Sequence, residues 1–427
     1  MVDGPVGKNN IMNSERLQNI AEEKLPPKAW LTVILLFFVG LLNYLDRNTI
    51  TTMHTSITEA IPMSDKQFSL LTAVFLWTYG IFSPFAGYLA DRFGRSKIII
   101  VSLFIWSVVT WLTAHATTFN QLLSTRALMG LSEACYIPAA LALICDYHKG
   151  PTQSTATGIH MAGVFIGASL GFIGGWIAQE HTWNLAFTIF GSVGIAYAIL
   201  IAFILRDAPR QKISELQSIV QTQKFSKTLR TLFSNRSFYY MLIFWSLLSI
   251  VAWLITAWLP TFYIQHFGFS QKIAGIYATA YLYPASVAGL ILGGIIADKW
   301  RKKNPRARML VPAIGLCIAA PMVFFASETS LVVIAIIFFG TYAFTKAFSD
   351  TNMMPILSTI ATKDNRATGY GVLNLFSCIV GGVGIYAGGY LRDANISFTN
   401  IFRIASLLIP VCIVLLLLIK SRKTNSL

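Results

Sequence analysis

Charge is what this sequence has least of. Of its 427 residues only 12% are Asp, Glu, Lys or Arg, while 55% are hydrophobic. An ordinary soluble domain carries about twice that share of charge, and a disordered chain would show the opposite balance. Cysteine is scarce as well. Cys135, Cys145, Cys317, Cys378 and Cys412 stand isolated in apolar stretches, which excludes a disulfide-stapled secreted fold and offers no metal-ligand spacing. There is no Gly-rich phosphate loop of the Walker type, so direct use of ATP is not expected, nor is any cofactor. His54, His115, His148, His181 and His266 are scattered and suggest no metal site. Nothing points to an enzyme. Acidic residues are rarer than basic ones, 18 against 33, for a net charge of +15.

What fills the chain instead is apolar stretches long enough to cross a hydrocarbon core of about 30 Å as helices. Twelve are expected, near 29–54, 67–90, 98–115, 120–147, 155–178, 184–205, 237–263, 274–297, 309–326, 330–358, 367–391 and 401–420. Backbone polar groups must be satisfied internally in lipid, so the predicted fold is an all-α membrane protein. Residues 1–28 lack the short apolar core and cleavage site of a signal peptide, and the first span is expected to be retained.

The basic residues sort by topology. With a cytoplasmic N-terminus, twenty-six of the 33 Lys and Arg fall on cytoplasmic segments. Four fall outside (Lys66, Lys272, Arg392 and Arg403) and three inside spans (Arg47, Arg126 and Lys346). Such asymmetry is the positive-inside rule, and it removes the nucleic-acid reading of the net charge. Both termini are thus expected on the cytoplasmic face of a bacterial inner membrane or a plasma membrane. The polar stretch 206–236 divides the chain into two sets of six spans. The predicted organisation is a tail at 1–28, a half at 29–205, a central loop at 206–236, a half at 237–420 and a tail at 421–427. An internal repeat follows the same division. Gly87, Asp91 and the basic run Arg92, Arg95, Lys97 follow span two; Gly294, Asp298 and Lys299, Arg301, Lys302, Lys303 follow span eight. Parallel six-helix halves are a known transporter layout.

The segment Gly87–Lys97 resembles the cytoplasmic loop signature of the major facilitator superfamily at every defining position. The resemblance implies the twelve-helix, two-half major facilitator fold. It also implies a gating loop made of Gly87, Asp91, Arg92, Gly94 and Arg95, with Asp298 in the weaker second copy. In that family the loop latches the halves together in one state and releases them in another.

Seven ionisable residues sit within spans, where a charge costs about 2.5–3.5 kcal/mol on insertion scales and marks a functional candidate. They are Asp46, Arg47, Arg126, Glu133, His160, Lys346 and Asp350. Arg126 and Glu133, seven apart, share a helix face about 10 Å apart along the axis. They are too far apart to satisfy each other, so each needs another partner, which favours a shared cavity over a closed pair. Asp46 and Arg47 are neighbours and point about 100° apart, so one can face a cavity while the other faces span four. The net charge of these two Arg and two carboxylates is zero. Adding a carboxylate substrate leaves one uncompensated buried charge, which taking up a proton would remove. Anion and proton binding should therefore favour each other.

Asn43-Tyr44-Leu45-Asp46-Arg47 and the run Arg126…Gly130…Glu133-Ala134 resemble two subgroups of the superfamily, the organic anion:cation symporters and the Spinster-like lipid transporters. The resemblance implies that Arg47 and Arg126 hold an anionic group, that Asp46 and Glu133 are proton-coupling, and that Tyr79 and Asn374 line the cavity; as a charge within a span, Lys346 is a further candidate substrate contact. The expected function is proton-coupled symport of an organic anion such as a hexuronate, an aldonate or sialic acid. A carrier of lysolipid or another amphipathic anion, and a non-transporting sensor on the same fold, are the alternatives. Expected partners are the small organic anion, protons and the lipid bilayer, with no nucleic acid and a monomeric chain.

Lys346 and Asp350, four apart, can pair directly, and a structural pair stands beside a substrate role. His160 reads as a hydrogen-bonded helix residue whose partner the sequence does not name. Gly163, Gly167, Gly171 and Gly175, each four apart, form one face without side chains, suited to close packing or sliding. Gly381, Gly384 and Gly388 do the same in span eleven. The Gly-Pro pair of family drug antiporters is absent from span five, which disfavours drug export. Trp245, Trp253, Trp258 and Tyr263 in span seven, and Tyr281 and Tyr283 in span eight, can face lipid, core or cavity alike.

Overall fold

The computed structural model describes residues 28–148, 152–208, 225–362 and 365–420; within these, the side chains of 86–88, 90, 91, 225, 226 and 367 are excepted. The two tails, Lys149, Lys363 and most of the central loop lie outside the described residues, as do the side chains of Gly87 and Asp91. Twelve helices among the described residues are long and apolar enough to cross a membrane, and no strand accompanies them. They make an integral, multi-pass membrane protein.

Most spans run one to four residues beyond the apolar stretches, because polar caps close the helix ends. Thr118 forms a capping box with Gln121, and Thr182, Ser270 and Ser397 accept from backbone N–H groups three residues on. Gly268 ends the 32-residue seventh span in the left-handed conformation that glycine adopts at least cost.

Hydrophobic runs alone conceal the breaks. Span one bends at Met53 into a short helix, His54–Ala60. Span four divides into Phe119–Glu133 and Tyr136–Tyr147. Pro138 accounts for that break, since it has no N–H and its ring crowds the carbonyl of residue 134. Span five divides at Leu170 and Gly171. Span eight begins as Gln271–Gly275, widens to a π-helical turn at Ile276–Ala280 and continues as Leu282–Arg301. The central loop holds a short helix, Phe225–Phe233, with Thr228 and Leu232 buried and Lys227 and Arg230 exposed.

The glycine faces are packing surfaces. A Cβ on Gly163 or Gly167 would stand 2.3 Å from the Phe37 carbonyl oxygen or 2.0 Å from that of Leu41, and Gly171 and Gly175 meet Asn48 and Thr52. Span five thus lies on span one along its whole glycine stripe. Span eleven repeats the arrangement against span seven, with Gly381, Gly384 and Gly388 facing Trp253, Ile250 and Leu254.

Several bonds among the described residues join the first six and the last six spans, from the helix middles toward one end. At mid-height, Trp77 Nε1 donates to the Ile379 carbonyl (3.0 Å) and Thr279 Oγ1 to that of Ser169 (3.0 Å). At the end itself Gln271 receives the Ser56 backbone N–H on Oε1 and donates from Nε2 to the Gly175 carbonyl. Lys272 pairs with Glu180 (3.2 Å), Arg392 with Asp65 (3.5 Å), and Asp65 with His54 (3.0 Å). The four basic residues that break the charge asymmetry all lie at this end. Lys66 sits over the Tyr386 and Tyr390 rings, and Arg403 pairs with Glu328.

Candidate functional site

Spans one, two and four converge on a buried charge cluster. Arg47 Nη2 donates to Glu133 Oε2 at 3.0 Å, with the two side chains 5% and 0% exposed. The guanidinium of Arg47 lies within 5 Å of three ring centroids: Tyr44 (4.5 Å), Tyr79 (4.6 Å) and Phe75 (4.9 Å). Arg126 lies 4.8 Å from the centroid of the same Phe75. Its described hydrogen bond is a weak one, from Nη1 to the thioether of Met129 (3.0 Å), and its Nε and Nη2 are buried with no partner among the described residues. No described carboxylate comes within ion-pair distance of Arg126. A cation held this way in a protein interior calls for a counter-charge.

Asp46 faces the other way from its neighbour. Its Oδ2 accepts from Thr110 of span three at 3.4 Å, and its Oδ1 has no described partner. The partner that helical spacing denied to Glu133 on its own helix is therefore Arg47, 86 residues away in sequence, in a closed pair. Glu133 is closed onto Arg47 rather than sharing a cavity with Arg126. Asn43 stands beside Glu133.

Arg47 and Arg126 line one narrow cleft between the two sets of spans, with room for about one water molecule, together with Asn48, Thr51, Thr72 and Phe75 and, across it, Trp253, Thr256 and Ala257 of span seven. Tyr283 joins from span eight, its hydroxyl beside Asn48 and Thr256. Tyr79 adjoins the cluster through Arg47 and through Phe75, on which it stacks. Asn374 is half-buried in span eleven and no described bond ties it to the arginines. Lys346 donates to both carboxylate oxygens of Asp350 at 2.8 Å, a closed pair on one helix, and its described contacts do not reach Arg47 or Arg126. His160 Nδ1 lies 3.1 Å from the Leu36 carbonyl oxygen, which also accepts from Tyr136. That is the partner the sequence does not name.

In the loop signature, Arg95 donates to the Ala142 carbonyl (2.6 Å) and pairs with Asp146, both at the end of span four. Gly94 has φ +95, and Asp207 crowds the place its Cβ would take. The carboxylate of Asp207 accepts from the Ser96 backbone N–H at 2.7 Å and so caps span three. Arg92 begins the loop at the end of span two. Asp298 pairs with Arg308 at 3.1 Å. Sequence reasoning passed over Phe75, Met129, Asp146 and Asp207. Phe75 and Asp207 carried a signal, an aromatic one turn before Tyr79 and an acid just after a span end.

Residues 36–346 match the Major Facilitator Superfamily. The chain is 29% identical over 332 residues to "Protein spinster homolog 1" of Xenopus tropicalis, covering 73% of this chain and 62% of that protein. The chain thus spans about three fifths of the length of such Spinster relatives. It is 26% identical over 405 residues to the "Probable galactarate/D-glucarate transporter GarP" of Escherichia coli (strain K12), covering 86% of this chain and 89% of that one. The crystal structure of a bacterial homologue of the human lysosomal transporter Spinster, inward-facing and occupied, superposes with a TM-score of 0.77 at 21% identity, over 93% of this chain and 97% of that one.

Proposed function

Because the chain belongs to the Major Facilitator Superfamily, a superfamily of transporters, we propose that it carries an organic anion together with protons by alternating access. The observation that supports this most directly is Arg126, a buried guanidinium in the inter-half cleft with no described carboxylate to pair with. An anion entering the cleft meets Arg126 first and competes with Glu133 for Arg47. Once displaced, Glu133 is a buried carboxylate without its cation, and taking up a proton restores neutrality. Asp46, lacking an arginine at ion-pair distance, is the second carboxylate able to hold a proton. Similarity to a probable sugar-acid transporter over most of both chains fits this reading. With both termini on the cytoplasmic side, the bonded end of the molecule faces out and the Gly94 loop faces in.

A lysolipid or other amphipathic anion is the second reading. The aromatic rings here, Phe75 and Trp253 lining the cleft and Tyr44 and Tyr79 against Arg47, favour it, as does the likeness to Spinster proteins. The test is uptake of labelled sugar acids and of lysolipid into proteoliposomes with and without an imposed pH gradient. Accumulation of an anion driven by an inwardly directed proton gradient is expected; uptake indifferent to the gradient would end the symport reading.

A further inference from the structure

The two arginines of the cleft rest on different kinds of partner. Arg47 has a carboxylate, Glu133, besides its rings. Arg126 has no described carboxylate at ion-pair distance. Its described partners are the face of Phe75, whose centroid lies 4.8 Å from the guanidinium carbon, and the Met129 sulfur at 3.0 Å. Both are soft. A thioether is a weak acceptor, and a ring face attracts a cation through its quadrupole without carrying net charge. Arg126, Phe75 and Met129 are all fully buried, where electrostatic attraction is screened least. Gly130, one turn past Arg126 on span four, lets the ring come this close. A Cβ there would stand 2.4 Å from the Phe75 carbonyl oxygen, so a larger residue would drive span two and its ring away. The same ring lies 4.9 Å from Arg47, and all three residues line the cleft.

We propose that Phe75 is a positioning residue that competes with the transported anion for the two arginines, and so keeps the affinity of the site low enough for release. The inference rests on the organic-anion reading above. An anion on Arg126 turns a cation into a neutral pair, and the attraction of the ring for it falls. The electron-rich face also repels the anion itself. The ring therefore stabilises the empty site more than the loaded one. Had a carboxylate held Arg126 instead, an incoming anion would first have to break a charge-assisted pair. Had nothing held it, the uncompensated buried charge would grip the anion and resist its departure. A ring and a sulfur lie between these extremes: they keep the guanidinium in place and yield it. Because one ring serves both arginines, its electron density tunes the whole anion site.

The experiment weakens the quadrupole while keeping the ring. Phe75→fluorophenylalanine and Phe75→trifluorophenylalanine are made in the full chain, and D-gluconate binding is measured by calorimetry beside counterflow in proteoliposomes. The dissociation constant should fall stepwise with fluorination, by about threefold or more for the trifluoro ring, while the maximal exchange rate falls as release slows. A ring that merely fills space would weaken binding when altered, never tighten it in step with its electron density. Met129→Leu, a change of similar volume at the other soft partner, should lower the constant as well. A constant unchanged or raised across the fluorinated series overturns the proposal and leaves the organic-anion reading standing; if the fluorinated chains do not fold, an unchanged or raised constant in Met129→Leu does the same. A wild type that binds no D-gluconate, with Arg126→Ala indistinguishable from it, overturns the organic-anion reading itself and the role of Phe75 with it.

Discussion

Replacing Glu133 by Gln removes one titrating group and nearly nothing else. The side chains are isosteric, and the amide can still accept from Arg47 at the 3.0 Å position Oε2 now holds. The consequence follows from charge. Arg47, Arg126, Asp46 and Glu133 sum to zero, so a monoanion leaves the buried cluster one charge negative and a proton restores neutrality. If one proton accompanies each anion, anion affinity falls about tenfold per pH unit as pH rises through the range where the empty site is unprotonated. Between pH 6 and 8 the dissociation constant of wild type should rise by up to about a hundredfold. In Glu133→Gln the empty cluster is already one charge positive, and the anion alone neutralises it. Its affinity should be flat over the same range and exceed that of wild type at pH 8. Proton-driven accumulation should vanish while exchange continues. Calorimetric titration at pH 6, 7 and 8, paired with proteoliposome uptake, measures both. A Glu133→Gln protein that keeps the wild-type slope would refute the assignment and move the proton to Asp46.

Other outcomes follow from the same geometry. Arg126→Ala should weaken anion binding at least tenfold in thermal-stabilisation assays, since it removes the cleft's cation that lacks a described carboxylate. Gly167→Ala would set a Cβ 2.0 Å from the Leu41 carbonyl oxygen; spans one and five must part by roughly 1 Å, and overpacking of that kind costs about 1–3 kcal/mol, visible as a lower melting temperature in detergent. Asp207→Ala removes the cap at the Ser96 N–H, worth about 0.5–2 kcal/mol, and should lower the melting temperature without changing the pH dependence of binding. Ser56→Cys with Gln271→Cys, joined by a short bifunctional thiol reagent, should hold the bonded end shut and stop transport, whereas either single variant treated alike should continue to transport.

The spans and the in-membrane charges were legible because lipid imposes length and scarcity on a sequence. The partner of each charge was not, since helical spacing sees only one helix at a time. Arg126 and Glu133 looked like two groups needing the same cavity, but the bend before Pro138 and the approach of span one give Glu133 to Arg47 and leave Arg126 to the cleft. Lys346 and Asp350, which four-residue spacing could join, are joined. The π-turn in span eight left no mark in the apolar pattern, and Tyr283 could not be told from a lipid-facing aromatic until its neighbours were placed. The loop signature was readable residue by residue, whereas Asp146 and Asp207, which hold it, come from distant segments.

Phe75 lies under both arginines at once and belongs to span two, which packs extensively against span eleven. Trp77 and Gly80 of that same helix touch Ile379 and Cys378 across the division. Any sliding of span two along span eleven therefore carries the shared ring with it and displaces both guanidiniums in step. Phe75 thereby joins the packing between the halves to the surface on which both guanidiniums rest.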